Sequence, residues 1–512
     1  MEADVLIVGA GPTGLVLALW LHRQGVGVRI IERNAVAGTG SRALAVQART
    51  LELYRQLDLA DAVVARGHRV EGVNLWARGR RAAHIDFGAL GAGLTPYPFV
   101  TIFPQDEHEA LLESRLRDAG IEVERGTELL RLADDGSRIT ADLRHGDGSG
   151  ETCTARYIAG CDGAGSTVRK ALGIGFGGST YEGHYYVADI AARGPAIDGD
   201  LHIDLDEADF LGIFPLAAPG HVRLVGTIGA GGPPGGRAPR FEDAGARVVA
   251  QMQVTVGRVN WFSTYRVHHR VAAHFRKGRA FLLGDAGHIH SPVGGQGMNT
   301  GILDAINLAW KLAEVIAGRA GDDLLDSYEA ERIGFARRLV ATTDRIFGIV
   351  TARGRAAGVV RARLAPAVLS RALRSGALRR FLFRTVSQIA LDYRDSALSA
   401  GRAGAVAGGD RLPWVAPDAG ESPAPPAPVG WQVRVHGSAG DGLADWCRAQ
   451  GVALQVPAWR PEHGAAGIAR DATYLLRPDG WVALADPSGD PQAIARYFDA
   501  RGIRLPGGQG PA

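Results

Sequence analysis

The segment from Asp4 to Glu32 constrains the fold of this 512-residue chain more than any other. Asp4-Val5-Leu6-Ile7-Val8 is a short apolar, β-rich run, the pattern of a strand covered on both faces in a parallel sheet. Gly9-Ala10-Gly11-Pro12-Thr13-Gly14 follows at once, then Leu15 to Gln24 with helical periodicity, closed by Gly25. Val26 to Ile31 is a second strand, ending at Glu32. In such a unit Gly9 permits the tight turn, Gly11 lets the backbone approach a diphosphate, and Gly14 lets the helix pack against the strand. Pro12 and Thr13 open a helix whose free N–H groups and partial positive charge face the phosphates. Glu32 stands 18 residues beyond Gly14, where an acid can accept hydrogen bonds from a ribose. A dinucleotide site is expected, and the turn alone does not separate a flavin from a nicotinamide dinucleotide.

Two later segments do. Ala159-Gly160-Cys161-Asp162-Gly163-Ala164-Gly165-Ser166-Thr167-Val168-Arg169 resembles the Asp-Gly motif of the class A flavoprotein aromatic hydroxylases. That family includes para-hydroxybenzoate hydroxylase, phenol hydroxylase and the aromatic polyketide hydroxylases. Phe281-Leu282-Leu283-Gly284-Asp285-Ala286-Gly287-His288 resembles its Gly-Asp motif. The segment continues through Ser291-Pro292-Val293-Gly294-Gly295-Gln296-Gly297-Met298-Asn299-Thr300-Gly301 into a helix reaching Leu312. Read from its residues, this is a hydrophobic strand ending in an acid able to hold a ribityl hydroxyl. A glycine-rich loop and a helix start follow, with N–H groups near Gly297 to Asn299 facing an anion or carbonyl.

The resemblance implies FAD as cofactor, NADPH or NADH as a transient co-substrate, and O2. It implies cofactor contacts from the first turn (Gly9, Gly11, Pro12, Thr13, Gly14), from Glu32 and Arg33, and from Asp162 and Asp285. Pro292, Gly295, Gly297, Met298 and Asn299 belong to the same implied site, with the helix start on the flavin pyrimidine edge. Arg42 matches a family arginine near the flavin and its phosphates, Gln105 a glutamine opening a helix against FAD, and Leu129 a backbone contact to adenine. The implied function is an FAD-dependent, NAD(P)H-consuming monooxygenase. It would hydroxylate an aromatic substrate, phenolic or a polycyclic polyketide, through a flavin C4a-hydroperoxide. Baeyer–Villiger oxidation of a polyketide ketone stays open beside it, as does, from another class, a non-catalytic flavin-binding protein. No catalytic residue is assigned, because the cofactor carries the chemistry and no convincing nucleophile–base pair is present.

The expected fold is α/β: a Rossmann-like FAD-binding domain with an inserted β-sheet substrate domain and a C-terminal thioredoxin-like domain. The expected boundaries are 1–175 and 271–400 for the flavin domain, the latter with a helical segment, 176–270 for the sheet domain and 401–512 for the tail. Tyr185 to Ile190, Leu201 to Leu205, Phe210 to Phe214 and Val222 to Ile228 read as strands, with glycine and proline between them and Gly231 to Gly236 as a loop. Laid over the flavin they would form a roof, with Phe214 and Pro215 near the ring and Tyr186, His202, Arg223 and Tyr265 as polar substrate candidates. Tyr474 to Ala483 resembles the tail of phenol hydroxylase and the polyketide hydroxylases. With Cys447 alone there, no redox dithiol forms.

There is no second strand–GxGxxG–helix unit for a resident nicotinamide, and no Trp-x-Trp-x-Ile-Pro halogenase signature. The three cysteines show no metal-ligand spacing and read as free thiols in a reducing cytoplasm; no metal is expected. A net charge of +3 argues against nucleic acid, and the glycines that break Val5 to Leu21 argue against a membrane span. A small-molecule aromatic substrate is the expected partner, with the chain a monomer or homodimer.

Overall fold

The computed structural model describes residues 2–38, 43–77, 79–204, 210–228, 239–244, 246–291, 295–351, 375–417 and 429–507. The elements that build the site are β1 (Glu2–Val8), α1 (Pro12–Arg23), β2 (Val28–Glu32), α2 (Ala48–Tyr54), α3 (Gln105–Asp118), β3 (Gly150–Gly160), β4 (Phe176–Arg193), β5 (Thr255–Ala272), β6 (Ala280–Leu282), α4 (Gly297–Ile316) and α5 (Asp326–Thr351).

Val5, Leu6 and Ile7 are fully buried, as a strand covered on both faces requires. β1 pairs in parallel with β2 on one side (Val5↔Val28) and β3 on the other (Val5↔Tyr157), and β6 continues the sheet beyond β3. The order β6-β3-β1-β2 reverses direction at β1, and in open α/β sheets ligands bind beyond the carboxyl ends of the strands at such a point. Gly9, Glu32, Asp162 and Asp285 all stand at or just past those ends. α1 and α4 share the core on this sheet, and α4 is apolar almost all round because it is a core helix.

The second sheet has eight strands, ordered His288–Ile289, β5, β4, His221–Ile228, Leu211–Pro215, Leu201–Asp204, Gly72–Ala77 and Arg80–Asp86. Three of the four strands read from sequence recur within a residue at each end. Tyr185 to Ile190 is only the middle of the 18-residue β4, and Leu205 and Gly231 to Gly236 lie outside the described residues. β5, equally long, pairs with β4 from Phe176↔Ala272 to Arg193↔Thr255 across three register shifts. Gly72–Ala77 and Arg80–Asp86 belong to this sheet although they fall in the stretch assigned to the flavin domain, so the sheet is not confined to 176–270.

The tail carries a six-stranded sheet, ordered Val406–Ala407, Ala400–Ala403, Val482–Asp486, Thr473–Leu476, Gln432–Val435 and Ala453–Gln455, with helices Leu443–Gln450 and Pro491–Asp499. Cys153, Cys161 and Cys447 are free. Among the described residues no helix is long and apolar enough to cross a membrane, and no group of three or more His, Cys, Asp or Glu side chains could hold a metal.

Candidate active site

The first turn, Gly9 to Gly14, joins the carboxyl end of β1 to α1. Gly9 has φ +105°, and a Cβ there would stand 2.4 Å from the Cys161 carbonyl oxygen, so β3 fixes this glycine. A Cβ on Gly14 would fall 2.0 Å from the Gly9 carbonyl oxygen, so helix packing fixes that one. Gly11 differs. Its φ of −75° suits any residue, and a Cβ would meet only Glu109 Oε1, at 3.9 Å. Nothing in the fold demands a glycine there, and the open space it leaves at the start of α1 is the cradle a diphosphate needs. Thr13 is clasped instead between α1 and α4: added Cβ atoms on Gly284 and Gly301 would lie 2.7 and 2.4 Å from its Oγ1.

Glu32 turns its carboxylate back toward the turn, accepting from Ala10 N at 3.1 Å and from Asn34 N at 2.9 Å. Arg33 beside it is exposed. Thr127 N donates to the Glu32 carbonyl, which brings the backbone around the buried Leu129 alongside the acid. Asp162 uses Oδ2 to accept from Thr167 N (2.6 Å) and Val168 N (3.1 Å), while Oδ1 is buried with no partner among the described residues. This unfilled acceptor adjoins Gly9, whose added Cβ would lie 2.9 Å from Asp162 Cα. Arg169 ties the two family motifs together, donating to the carbonyls of Ala286 and Ala164 at 2.8 Å each. Gln105 N donates to the Ala43 carbonyl and its side chain to Glu109. Arg42 and Pro292 lie outside the described residues.

At the other end, Gly284–Ala286 is a single 3-10 turn in which Asp285 is exposed between buried neighbours. Behind it sits a brace that sequence reading missed. Asp304 of α4 is 1% exposed; it accepts from Gly284 N (3.0 Å), His288 Nε2 (2.6 Å) and Arg332 Nε (2.6 Å). Burial opposes its ionisation, but Arg332 and His288 outweigh burial and hold the carboxyl below its ordinary range. The signal was available: Asp304, Asn307, Lys311 and Glu314 form a polar stripe at helical spacing on an otherwise apolar helix.

α4 starts without a side-chain cap. Asn299 is fully buried and its amide is fully used: it accepts from Gln47 N (2.9 Å) and Thr50 Oγ1 (2.8 Å) and donates to the carbonyls of Ala45 and Gly295. Its side chain is scaffold, so what Asn299 can offer a ligand is its backbone N–H. Gly295, at φ +60°, packs on Ala45. His290 donates from Nδ1 to the Ser291 carbonyl, leaving Nε2, close to Gly297, as an acceptor with no partner among the described residues. Burial lowers its pKa to about 4, so the ring is neutral near pH 7.

The roof divides its candidates between two faces. Phe214 packs with Leu44, Ala45 and Ile102, next to Gly295 and the start of α4. Arg223 pairs across the sheet with Phe214 and Asp189; it is 2% exposed and bonds both Asp189 oxygens at 2.6 and 2.7 Å. Tyr265 stacks beside Tyr185 along the same face. Tyr186 instead belongs to the roof's own core, against Phe262, and His202 is fully buried between Trp76 Nε1 (2.8 Å) and Asp198 (2.7 Å). Alternation along the strands puts Tyr186, His202 and Pro215 on the face away from Phe214, where they support the sheet.

Residues 2–343 match the FAD binding domain family. The 6-methylpretetramide 4-monooxygenase of Streptomyces rimosus is 40% identical over 423 residues, 80% of this chain and 73% of that protein. The pentachlorophenol 4-monooxygenase of Sphingobium chlorophenolicum is 36% identical over 69% of this chain and 66% of its own. Among solved structures, the anhydrotetracycline hydroxylase of Streptomyces rimosus superposes with a TM-score of 0.78 at 28% identity, covering 99% of this chain and 100% of its own. The chain belongs to the FAD binding domain family and is an FAD-dependent monooxygenase.

Proposed function

We propose that this enzyme uses NAD(P)H and O2 to hydroxylate an electron-rich aromatic ring, and that its substrate class is the polycyclic aromatic polyketides. The observation that carries this reading is that four segments from distant parts of the chain, those bearing Gly9, Glu32, Asp162 and Asp285, meet at the carboxyl edge of one parallel sheet, with the Phe214 face of the second sheet packed on the Leu44 to Ala45 segment. Relatives that act on 6-methylpretetramide and anhydrotetracycline support the polycyclic class over a simple phenol.

FAD, when bound, would supply the redox chemistry that couples oxidation of NAD(P)H to transfer of one atom of O2 to the ring, the other atom leaving as water. The chain's own task is to bind, orient and exclude water. The Gly9–Gly14 turn and Asp162 hold the diphosphate end, Glu32 the ribose, Asp285 the ribityl chain, and the N–H groups at Gly297 to Asn299 the pyrimidine edge. Gln105 and the backbone at Leu129 border the nucleotide. Phe214 closes the roof over the ring, and Arg223, held by Asp189, orients a phenolate or carbonyl oxygen. No second nucleotide turn occurs among the described residues, so NAD(P)H docks transiently on the same unit. The layout is a flavin domain in two segments, a roof sheet and a thioredoxin-like tail without a redox dithiol.

Mixing the holoenzyme anaerobically with NADPH, with and without phenols or tetracyclic aromatics, tests the proposal. Flavin bleaching accelerated by a tetracyclic compound, followed in air by a ring-hydroxylated product, is expected. Acceleration by simple phenols alone would replace the substrate class, a ring-expanded ester would replace hydroxylation, and no reduction by NADPH or NADH would remove the co-substrate.

A further inference from the structure

Gly11 and Glu109 face each other across the mouth of the first turn, with Glu109 Oε1 bordering the space the glycine leaves open. Glu109 projects from α3 and is held by Gln105 Nε2, one helical turn earlier, at 2.7 Å. The charged groups facing it are Asp106 from its own helix, Glu32 from β2 and Arg125 from the strand Val123–Arg125. Arg125 is already engaged by Glu113 at 2.6 Å. Among the described residues, a diphosphate arriving at Gly11 therefore meets three acids, Asp106, Glu32 and Glu109, against one shared cation, and an ionised Glu109 would repel it directly.

We propose that Glu109 contacts the cofactor as a neutral acid, donating its O–H to a diphosphate oxygen, so that FAD binding takes up one proton from solvent. The inference rests on the reading that the first turn holds the diphosphate. Burial is the main influence raising the Glu109 carboxyl above its ordinary range, opposed by Gln105 and Arg125 and reinforced by Asp106 and Glu32. The bound diphosphate adds negative charge and acts in the same direction. Oε1, the oxygen that borders the space, carries the proton: as a hydroxyl it accepts from Gln105 Nε2 through a lone pair and donates its hydrogen to a diphosphate oxygen, and a hydroxyl donating to an ionised oxygen is among the strong hydrogen bonds.

The sign follows from linkage. The bound state holds a proton that the free state loses as pH rises, so affinity falls with rising pH, by about tenfold per unit in the one-proton limit. Calorimetric titration of the deflavinated full-length chain with FAD, at several pH values between 6 and 9 and in two buffers of different ionisation heat, counts that proton. Uptake approaching one proton is expected, with affinity falling across the range. Glu109→Gln should abolish the uptake and flatten the pH dependence. No uptake by the native chain, or equal uptake by Glu109→Gln, would overturn the proposal.

If Glu109→Gln fails to bind FAD, Arg125→Met decides, since removing that cation should move the fall in affinity to higher pH; an unmoved profile overturns the proposal. Gly11→Val separates the two levels of argument. Native FAD affinity in that variant would refute the diphosphate site itself, whereas weakened binding would leave a failure at Glu109 to count against Glu109 alone.

Discussion

At the residue scale, the three glycines of the first turn predict different phenotypes although they share one motif. Gly14 faces backbone at 2.0 Å and Gly11 faces open space. Gly14→Ala should therefore lower the melting temperature of the FAD-free protein, because a methyl group has nowhere to go. Gly11→Val should leave that temperature unchanged and weaken FAD binding at least tenfold, about 1.4 kcal/mol. Flavin fluorescence titration and thermal melts of both variants check this, and equal melting temperatures would refute the assignment of roles. These glycines and the acids Glu32, Asp162 and Asp285 were legible in sequence because close approach and strand-end charge leave a fixed spacing. Asp304 and Arg332 were not, because their role lies in a buried contact between helices 28 positions apart. Asn299 was legible by position but not by task, since its partners, Gln47 and Thr50, lie about 250 residues away.

At the element scale, the roof shows why strand reading reached only part of the sheet. β5 carries Arg258, Asn260, Ser263, Thr264, Arg266 and His268 with few fully buried positions, so it lacks the alternation that betrays a half-buried strand. Length and pairing with β4, not side-chain pattern, make it a strand. Gly72–Ala77 does look like a strand, but nothing local tells it to join a sheet whose next member lies at Leu201–Asp204. The consequence for function is the one ion pair among the described residues of the Phe214 face that locks an arginine across two roof strands. Arg223→Lys keeps the charge but loses the two-pronged bond to Asp189. It should raise the KM for the aromatic substrate several-fold and divert part of the NAD(P)H consumed into H2O2, because a loosely held ring is oxygenated less often. Oxygen-electrode traces with and without catalase measure that diversion, and unchanged coupling would take Arg223 out of the substrate-orienting role.

At the scale of the whole molecule, the tail is bolted to the helix that starts at the flavin site. The turn Arg477–Gly480 enters a pocket on α4 and α5, where Glu331 accepts from Arg477 at 2.6 and 2.9 Å and from Lys311 at 2.8 Å. Asp479 accepts from Trp310 at 3.0 Å and Asn307 at 3.2 Å, and its carbonyl, like that of Gly480, accepts from Arg49 of α2. The side chains of Lys311, Glu331, Arg477 and Asp479 are each no more than 1% exposed, two cations against two anions. Balanced in this way the cluster is tolerated; with one member missing, a charge is stranded in the core. Glu331→Gln should therefore destabilise the protein by about 3–5 kcal/mol near pH 7. Burial pushes the Glu331 carboxyl up, but Arg477 and Lys311 outweigh it and hold the group well below the usual carboxylate range. A carboxyl lowered on folding contributes stability that is present above its unfolded value of about 4.3 and is lost as pH falls below it. The melting temperatures of the native enzyme and Glu331→Gln should thus stand far apart at pH 7 and converge as pH drops from 5 toward 3. A gap that stays constant would mean the glutamate acts through packing and not through charge. Because α2 and α4 also carry the Thr50–Asn299 contact, the variant should lose FAD more readily than the native enzyme at the same pH values where the stability gap between them is widest.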